Sequence, residues 1–149
     1  MKTAFEIFQE HKSPKSKEGL RRSKLSGKEL FDEAQERKGK KKSKMGNKPV
    51  VFDNIWFQSE GEGHFYLSLK EQLQRGKIKD FKRQIPFEFF VNGIRIGKYV
   101  CDFGVLYHDN TVEILDYKSR FTATLALFEM KEALMIACYH VEIKKVGMR

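Results

Sequence analysis

Asp116 and Lys118 stand two residues apart in "VEILDYKSR" (Val112–Arg120), a stretch with the β-propensity of a strand. Side chains alternate along a strand, so the carboxylate and the ammonium point to the same face. An isolated pair of this kind is ordinarily a surface salt bridge at a strand end. Asp102 adds to it: it lies among apolar residues in "YVCDF", in the strand expected to hairpin with that of Asp116 across Asp109–Asn110. Pairing outward from that turn brings Asp102 opposite a residue close to Asp116. Two carboxylates facing one way repel unless something positive sits between them. Lys118 is one candidate and a divalent cation is the other. Hard cations such as Mg²⁺ take oxygen ligands, commonly one or two carboxylates with water and substrate phosphate.

The elements that must position these residues follow from Pro49 onward. "VVFDNIWF" reads as a strand or hairpin with an Asp-Asn turn. In "SEGEGHFYLSLKEQLQRGK", Ser59 suits an N-cap, with Glu62 three residues on. Phe65, Leu69 and Leu73 follow at i, i+4 and i+8, and Gly76 is a helix stop. "IKDFKRQIPFEFFV" is extended, with Pro86 suited to an edge or bulge. Asn92–Gly93 turns into the strand of Asp102, and Asp109–Asn110 into that of Asp116. "TATLALFEMKEALMIACYH" reads as a largely buried helix, and "VEIKKV" closes as a strand. Strand, helix, three strands, helix and strand predict an α/β fold with a mixed sheet flanked by helices.

Charge divides the 149 residues unevenly. Lys plus Arg total 29 against 20 Asp plus Glu, a net +9 with a pI near 9.5, a balance that favours polyanions such as nucleic acid. Through Lys48 the chain holds 15 basic and 7 acidic residues, leaving 14 and 13 beyond it. A boundary is therefore expected at Lys48–Pro49, with residues 1–48 a basic arm and 49–149 the folded domain. Two capping boxes, Thr3–Glu6 and Ser26–Glu29, could each seed a short helix in the arm, marginal until docked. Its run "RKGKKKSK" makes Lys38, Lys40, Lys41, Lys42 and Lys44 candidate nucleic-acid contacts, with Arg120 and Lys131 in the domain. No apolar run is long enough to span a bilayer, and no signal-peptide pattern opens the chain. Two separated cysteines, Cys101 and Cys138, suit a reducing cytoplasm and exclude a cysteine-based zinc site.

In order along the chain, "FQSEGE", "IKDFKRQIPF", "YVCDF" and "ILDYKS" carry a family pattern. They resemble the PD-(D/E)xK nuclease superfamily, and more narrowly a phage and prophage group of nuclease-like proteins within it. The resemblance covers Val50 to about Val146. It implies a restriction-endonuclease-like αβββαβ core with the catalytic set Glu62, Asp102, Asp116 and Lys118. It also implies metal contacts from Glu62, Asp102, Asp116 and the Tyr117 carbonyl, with Gln84 as an accessory polar residue. Two departures stand out: Cys101 precedes Asp102 where Pro is usual, and Gly61 and Gly63 flank Glu62 where better helix formers are usual. Glu62 has a second reading as the reciprocal half of the Ser59 capping box, and Glu60 is an alternative acid. His64 has two readings, general base and partly exposed structural residue; His11, His108 and His140 form no ligand spacing. Phe87, Phe89 and Phe90 read as core and rim aromatics.

The expected activity is that of a Mg²⁺-dependent DNA endonuclease, with Mn²⁺ as a substitute, in phage or prophage recombination, repair or packaging. Branched DNA such as a Holliday junction is the sharper expectation, with a homodimer as the assembly and a bacterial or infected-host cytoplasm as the location. The alternative is a nucleic-acid-binding protein that keeps the fold without activity.

Overall fold

The computed structural model describes residues 2–13, 48–118 and 126–147. The chain divides into two compact units: residues 15–71, and a unit in which residues 1–14 join residues 72–149.

In the first unit, β1 (Val50–Phe52) and β2 (Ile55–Phe57) pair antiparallel. Asp53 and Asn54 take φ of 50° and 59°, the left-handed pair that a two-residue type I′ hairpin requires. Helix α2 (Glu60–Gln74) starts where the capping residue directs: Ser59 Oγ accepts the Glu62 N–H at 3.2 Å. Its buried positions are Gly63, Tyr66 and Leu69, so of the expected Phe65–Leu69–Leu73 stripe Leu69 is buried and the other two are not. Tyr66 turns the helix that way, packing on Phe57 at 5.1 Å between ring centroids and donating to Asp53 Oδ2 at 2.9 Å. A Cβ at Gly63 would lie 2.6 Å from Val50 Cγ2 and 2.7 Å from Phe52 Cε2, so this close approach demands glycine. The helix ends in a Schellman motif on Gly76 (φ 68°), with Gly76 N donating to Leu73 O and Lys77 N to Gln72 O.

The second unit holds a four-stranded sheet in the order β3 (Asp80–Val91), β4 (Ile94–Leu106), β5 (Val112–Tyr117), β6 (Ile143–Val146). The first three pair antiparallel, while β6 pairs parallel to β5. Helix α3 (Ala126–Tyr139) supplies the crossover that a parallel pair needs. The sheet is thus mixed and the unit α/β. Asn92 and Gly93, at φ 49° and 78°, close the β3–β4 hairpin. Pro86 lies on an edge strand, where its missing N–H disturbs no outer ladder.

Ile85, Phe87, Phe89, Tyr99, Cys101, Ile114, Phe128, Met135 and Ile143 form the core of this unit. Helix α1 (Ala4–Glu10) belongs to it as well, although charge alone assigns residues 1–48 to an outlying arm. Its capping box is present, and Ala4 and Phe8 are buried in the core. Lys82 Nζ reaches the Phe8 and Gln9 carbonyls at 2.6 and 3.0 Å. His11 Nε2 bonds the Arg83 carbonyl at 2.8 Å, and Ser13 Oγ accepts the Arg83 N–H at 3.0 Å. A seven-residue helix marginal in water is therefore ordered by docking. The second expected capping box, Ser26–Glu29, lies outside the described residues.

Helix α3 is not the largely buried helix its composition suggests. Phe128 and Met135 are buried, but Leu127, Met130 and Ile136 stand 61%, 55% and 48% exposed. A helix packed on one sheet face buries only a stripe, and apolar composition does not say how wide that stripe is. Of the three phenylalanines near the β3–β4 turn, Phe87 and Phe89 are core and Phe90 is exposed. No helix among the described residues is long and apolar enough to cross a membrane.

Candidate functional site

The β4–β5 ladder runs from Leu106↔Val112 to Phe103↔Leu115. One further step in that register sets Asp102 opposite Asp116, where the ladder ends. There the Asp102 carboxylate takes over, Oδ2 accepting the Tyr117 N–H at 2.8 Å. The sequence expects Asp102 opposite a residue close to Asp116, and the bond to the Tyr117 N–H sets it beside the residue that follows Asp116.

Asp116 is 1% exposed and is the buried charged residue among those described. A buried carboxylate needs donors or a counter-charge, and this one has both. Tyr99 donates its hydroxyl to Oδ2 at 3.1 Å, and the Lys118 ammonium lies 3.2 Å from Oδ1. Tyr99 reaches across from β4, buried beneath the sheet face and stacked near Phe87 at 6.4 Å. Burial, and then the charge of Asp116, push its phenol far above the usual tyrosine range, so it stays a neutral donor. Burial raises the Cys101 thiol likewise, which keeps it a core residue and not a nucleophile.

Lys118 is held from behind. Its N–H donates to the Val146 carbonyl at 3.0 Å, continuing the parallel edge, and its ammonium lies 5.2 Å from the Phe128 ring centroid. Two more ammonium groups lie over aromatic rings of the same unit. Lys145, paired in register with Asp116, lies 5.2 Å from the same ring and 3.0 Å from Glu132. Lys131 on α3 lies 6.0 Å from the Tyr99 ring centroid. Lys118 and Lys145 thus share the Phe128 ring, each paired with an acid, Asp116 and Glu132 respectively.

Gln84 falls between the pairs Arg83↔Phe103 and Ile85↔Cys101, so the register sets it opposite Asp102. Its φ is 54°, a left-handed conformation uncommon for a non-glycine residue and more so within a strand. The residue named as accessory is thus beside Asp102 in the sheet.

Glu62 lies in the other compact unit, half-buried in the first turn of α2, with its N–H capped by Ser59. Among the described residues, no group of three or more His, Cys, Asp or Glu side chains is arranged to hold a metal ion. His64 is exposed, with Nε2 3.7 Å from Glu60 Oε1 and its ring against Phe52. His11 and His108 are spent on backbone carbonyls, of Arg83 and Gly76. Lys38, Lys40, Lys41, Lys42, Lys44 and Arg120 lie outside the described residues.

Sequence reasoning missed Tyr99 and Lys145. Nothing local marks Tyr99, since its partner is seventeen residues away across two strands. Lys145 could have been found by placing "VEIKKV" beside the Asp116 strand, which puts one of its lysines in register with the acid.

The chain belongs to the DUF1064 family, described as a protein of unknown function, whose model matches residues 42–146. No curated protein and no solved structure matches the chain.

Proposed function

We propose that this member of the DUF1064 family is a Mg²⁺-dependent DNA endonuclease with a restriction-endonuclease-like core, acting on branched DNA in phage or prophage recombination, repair or packaging. The observation that carries the reading is the open end of β4–β5, where Asp102 accepts the N–H of Tyr117, the residue after Asp116, and Lys118 pairs with Asp116. The order α2, β3, β4, β5, α3, β6, with β6 parallel to β5, supports the αβββαβ core. The net charge of +9 and the lysines around the site support a polyanionic substrate.

The donor chemistry fits a hard divalent cation. Two carboxylates at one strand end supply anionic oxygens, and Mg²⁺ binds through one or two carboxylates while keeping most of its waters. Asp102, Asp116 and the Tyr117 carbonyl would hold the ion. When bound, such an ion lowers the pKa of a water and offsets charge on the phosphoryl oxygens. Lys118, beside Asp116, would orient the attacking water and offset charge on the pentacovalent phosphorus. Lys131 and Lys145 hold neighbouring phosphates, and Tyr99 fixes the carboxylate of Asp116. Gln84 supplies a polar side chain next to Asp102.

Nicking of supercoiled plasmid in Mg²⁺, lost in EDTA and in Asp102→Asn, is the direct test. Duplex, flap, fork and four-way junction substrates then resolve the preferred structure. One observation favours a second reading, a nucleic-acid-binding protein without activity: both oxygens of Asp116 already carry donors. On that reading, the chain binds the same DNA panel and nicks none of it.

A further inference from the structure

Helix α3 departs from the usual division of a surface helix, in which charged residues face water. Its exposed positions are Ala126, Leu127, Met130, Ala133, Ile136 and Ala137, with Glu129 as the one charge among them. Its two central charges turn inward instead. The Lys131 ammonium lies over the Tyr99 ring, and Glu132 pairs with Lys145 of β6. Charges directed at the protein and large apolar side chains directed away from it mark a contact surface.

We propose that this outer face seats a homodimer, α3 packing antiparallel on the α3 of a second copy about a two-fold axis. Charge and shape choose that occupant. The chain carries a net +9, yet this face holds no lysine or arginine. Two copies meet here without cationic repulsion, and a polyanion finds no cation to hold it. The exposed apolar positions also lie symmetrically about the point between Lys131 and Glu132. In an antiparallel pair centred there, Ala126 meets Ala137, Leu127 meets Ile136 and Met130 meets Ala133, each contact made twice. Methionine fits over alanine at the centre, and alanine pairs at the ends let the axes approach to about 8 Å. Such a patch is self-complementary, as a two-fold interface requires. A helix of 14 residues is about 21 Å long. One face of it covers less than the roughly 800 Å² per partner of a standard interface, so the dimer is reversible, in the micromolar range. The pairing stands apart from the nuclease reading. Where that reading holds, Phe128 on the inner side of the same helix backs Lys118, so the axis relates two copies of the candidate site.

The test is sedimentation equilibrium of the full chain without nucleic acid, from low micromolar to near-millimolar concentration. Wild type should show a reversible monomer–dimer equilibrium. Met130→Glu sets a carboxylate against each partner's Ala133 and should weaken it about tenfold or more. Ala133→Lys should weaken it as well, and mixing the two variants should restore a heterodimer, because positions 130 and 133 face each other only across the axis. Ile94→Glu, at a still more exposed apolar residue of the β3–β4 hairpin, should leave the equilibrium unchanged. All three positions are exposed, and melting curves on the same samples establish folding. A wild type that stays monomeric throughout overturns the proposal and leaves the face to another occupant. A dimer indifferent to Met130→Glu overturns it too, and a mixture no tighter than its two parts overturns the antiparallel pairing. None of these outcomes bears on the nuclease reading, which plasmid nicking decides separately.

Discussion

The two ends of the β4–β5 pair carry the same three kinds of group in different surroundings. At the loop end, Glu113 accepts the Tyr107 hydroxyl at 2.7 Å and pairs with Lys144 at 2.9 Å. At the open end, Asp116 accepts the Tyr99 hydroxyl and pairs with Lys118. Each is a carboxylate held between a phenol and an ammonium. The side chains of Glu113 and Lys144 are 26% and 62% exposed, whereas those of Asp116 and Lys118 are 2% and 26% exposed. The register gives Glu113 an apolar neighbour, Val105, whereas Asp116 lies beyond the paired residues, beside the Tyr117 N–H that the second acid, Asp102, accepts. The donor set alone therefore makes a brace. Burial and a second acid close by turn the same set into a candidate site.

The largest expected break in this comparison is Asp102→Asn, which removes the second acid and makes the two ends alike. Nicking should fall by about 10³-fold or more, while DNA binding in EDTA stays equal or tightens because a repelling charge is gone. Asp116→Asn should do the same at some loss of stability. If Asp102→Asn melts like wild type and nicks at its rate, the open end is only a second brace.

Next in size is the contrast between the two lysines. Lys118→Met should lower nicking by about 10²-fold with folding intact, whereas Lys144→Met, at an exposed pair, should leave nicking unchanged. Equal rates in both variants would strip Lys118 of its role in the reaction.

The two phenols should differ in stability. Tyr99→Phe leaves a buried carboxylate oxygen without its donor and should destabilise by about 1–3 kcal/mol in urea unfolding. Tyr107→Phe, with water and Lys144 still available to Glu113, should lose about 1 kcal/mol or less. Similar losses would mean that burial does not separate the two ends.

The smallest effect is in alkali. Burial, followed by the hydrogen bond to Glu113, pushes the Tyr107 phenol up to about 12 from 10.0. A raised folded pKa means that its contribution is whole below pH 10 and is lost as pH rises towards 12. Tyr99, raised further, loses stability from the same starting point but over a longer range. Tyr107→Phe should flatten the stability profile between pH 10 and 12, and Tyr99→Phe should flatten it beyond that. Superimposable profiles for wild type and both variants would remove the protonation argument.

Local chemistry made much of this legible. Asp53–Asn54 and Asn92–Gly93 turn where such residues turn, Ser59 and Gly76 bound α2, and Pro86 marks the edge strand. The nearness of Asp102 to the strand end that carries Asp116 followed from counting outward from a turn. What the residues did not disclose depends on distant partners. Phe8 is buried because β3 and β5 receive it, and nothing within residues 1–14 says so. The exposure of Leu127, Met130 and Ile136 depends on which side of α3 meets the sheet, a choice that apolar composition leaves open. Tyr99 becomes part of the site only once the register is known.

The docking of α1 has a consequence for how the protein is made. The unit that carries Asp102 and Asp116 begins at the first residues and resumes at Gln72. During synthesis, Phe8 emerges long before the strands that cover it, and its burial awaits β3. Ala4 and Phe8, buried in that core, are therefore the residues of the N-terminal segment on which this late docking depends.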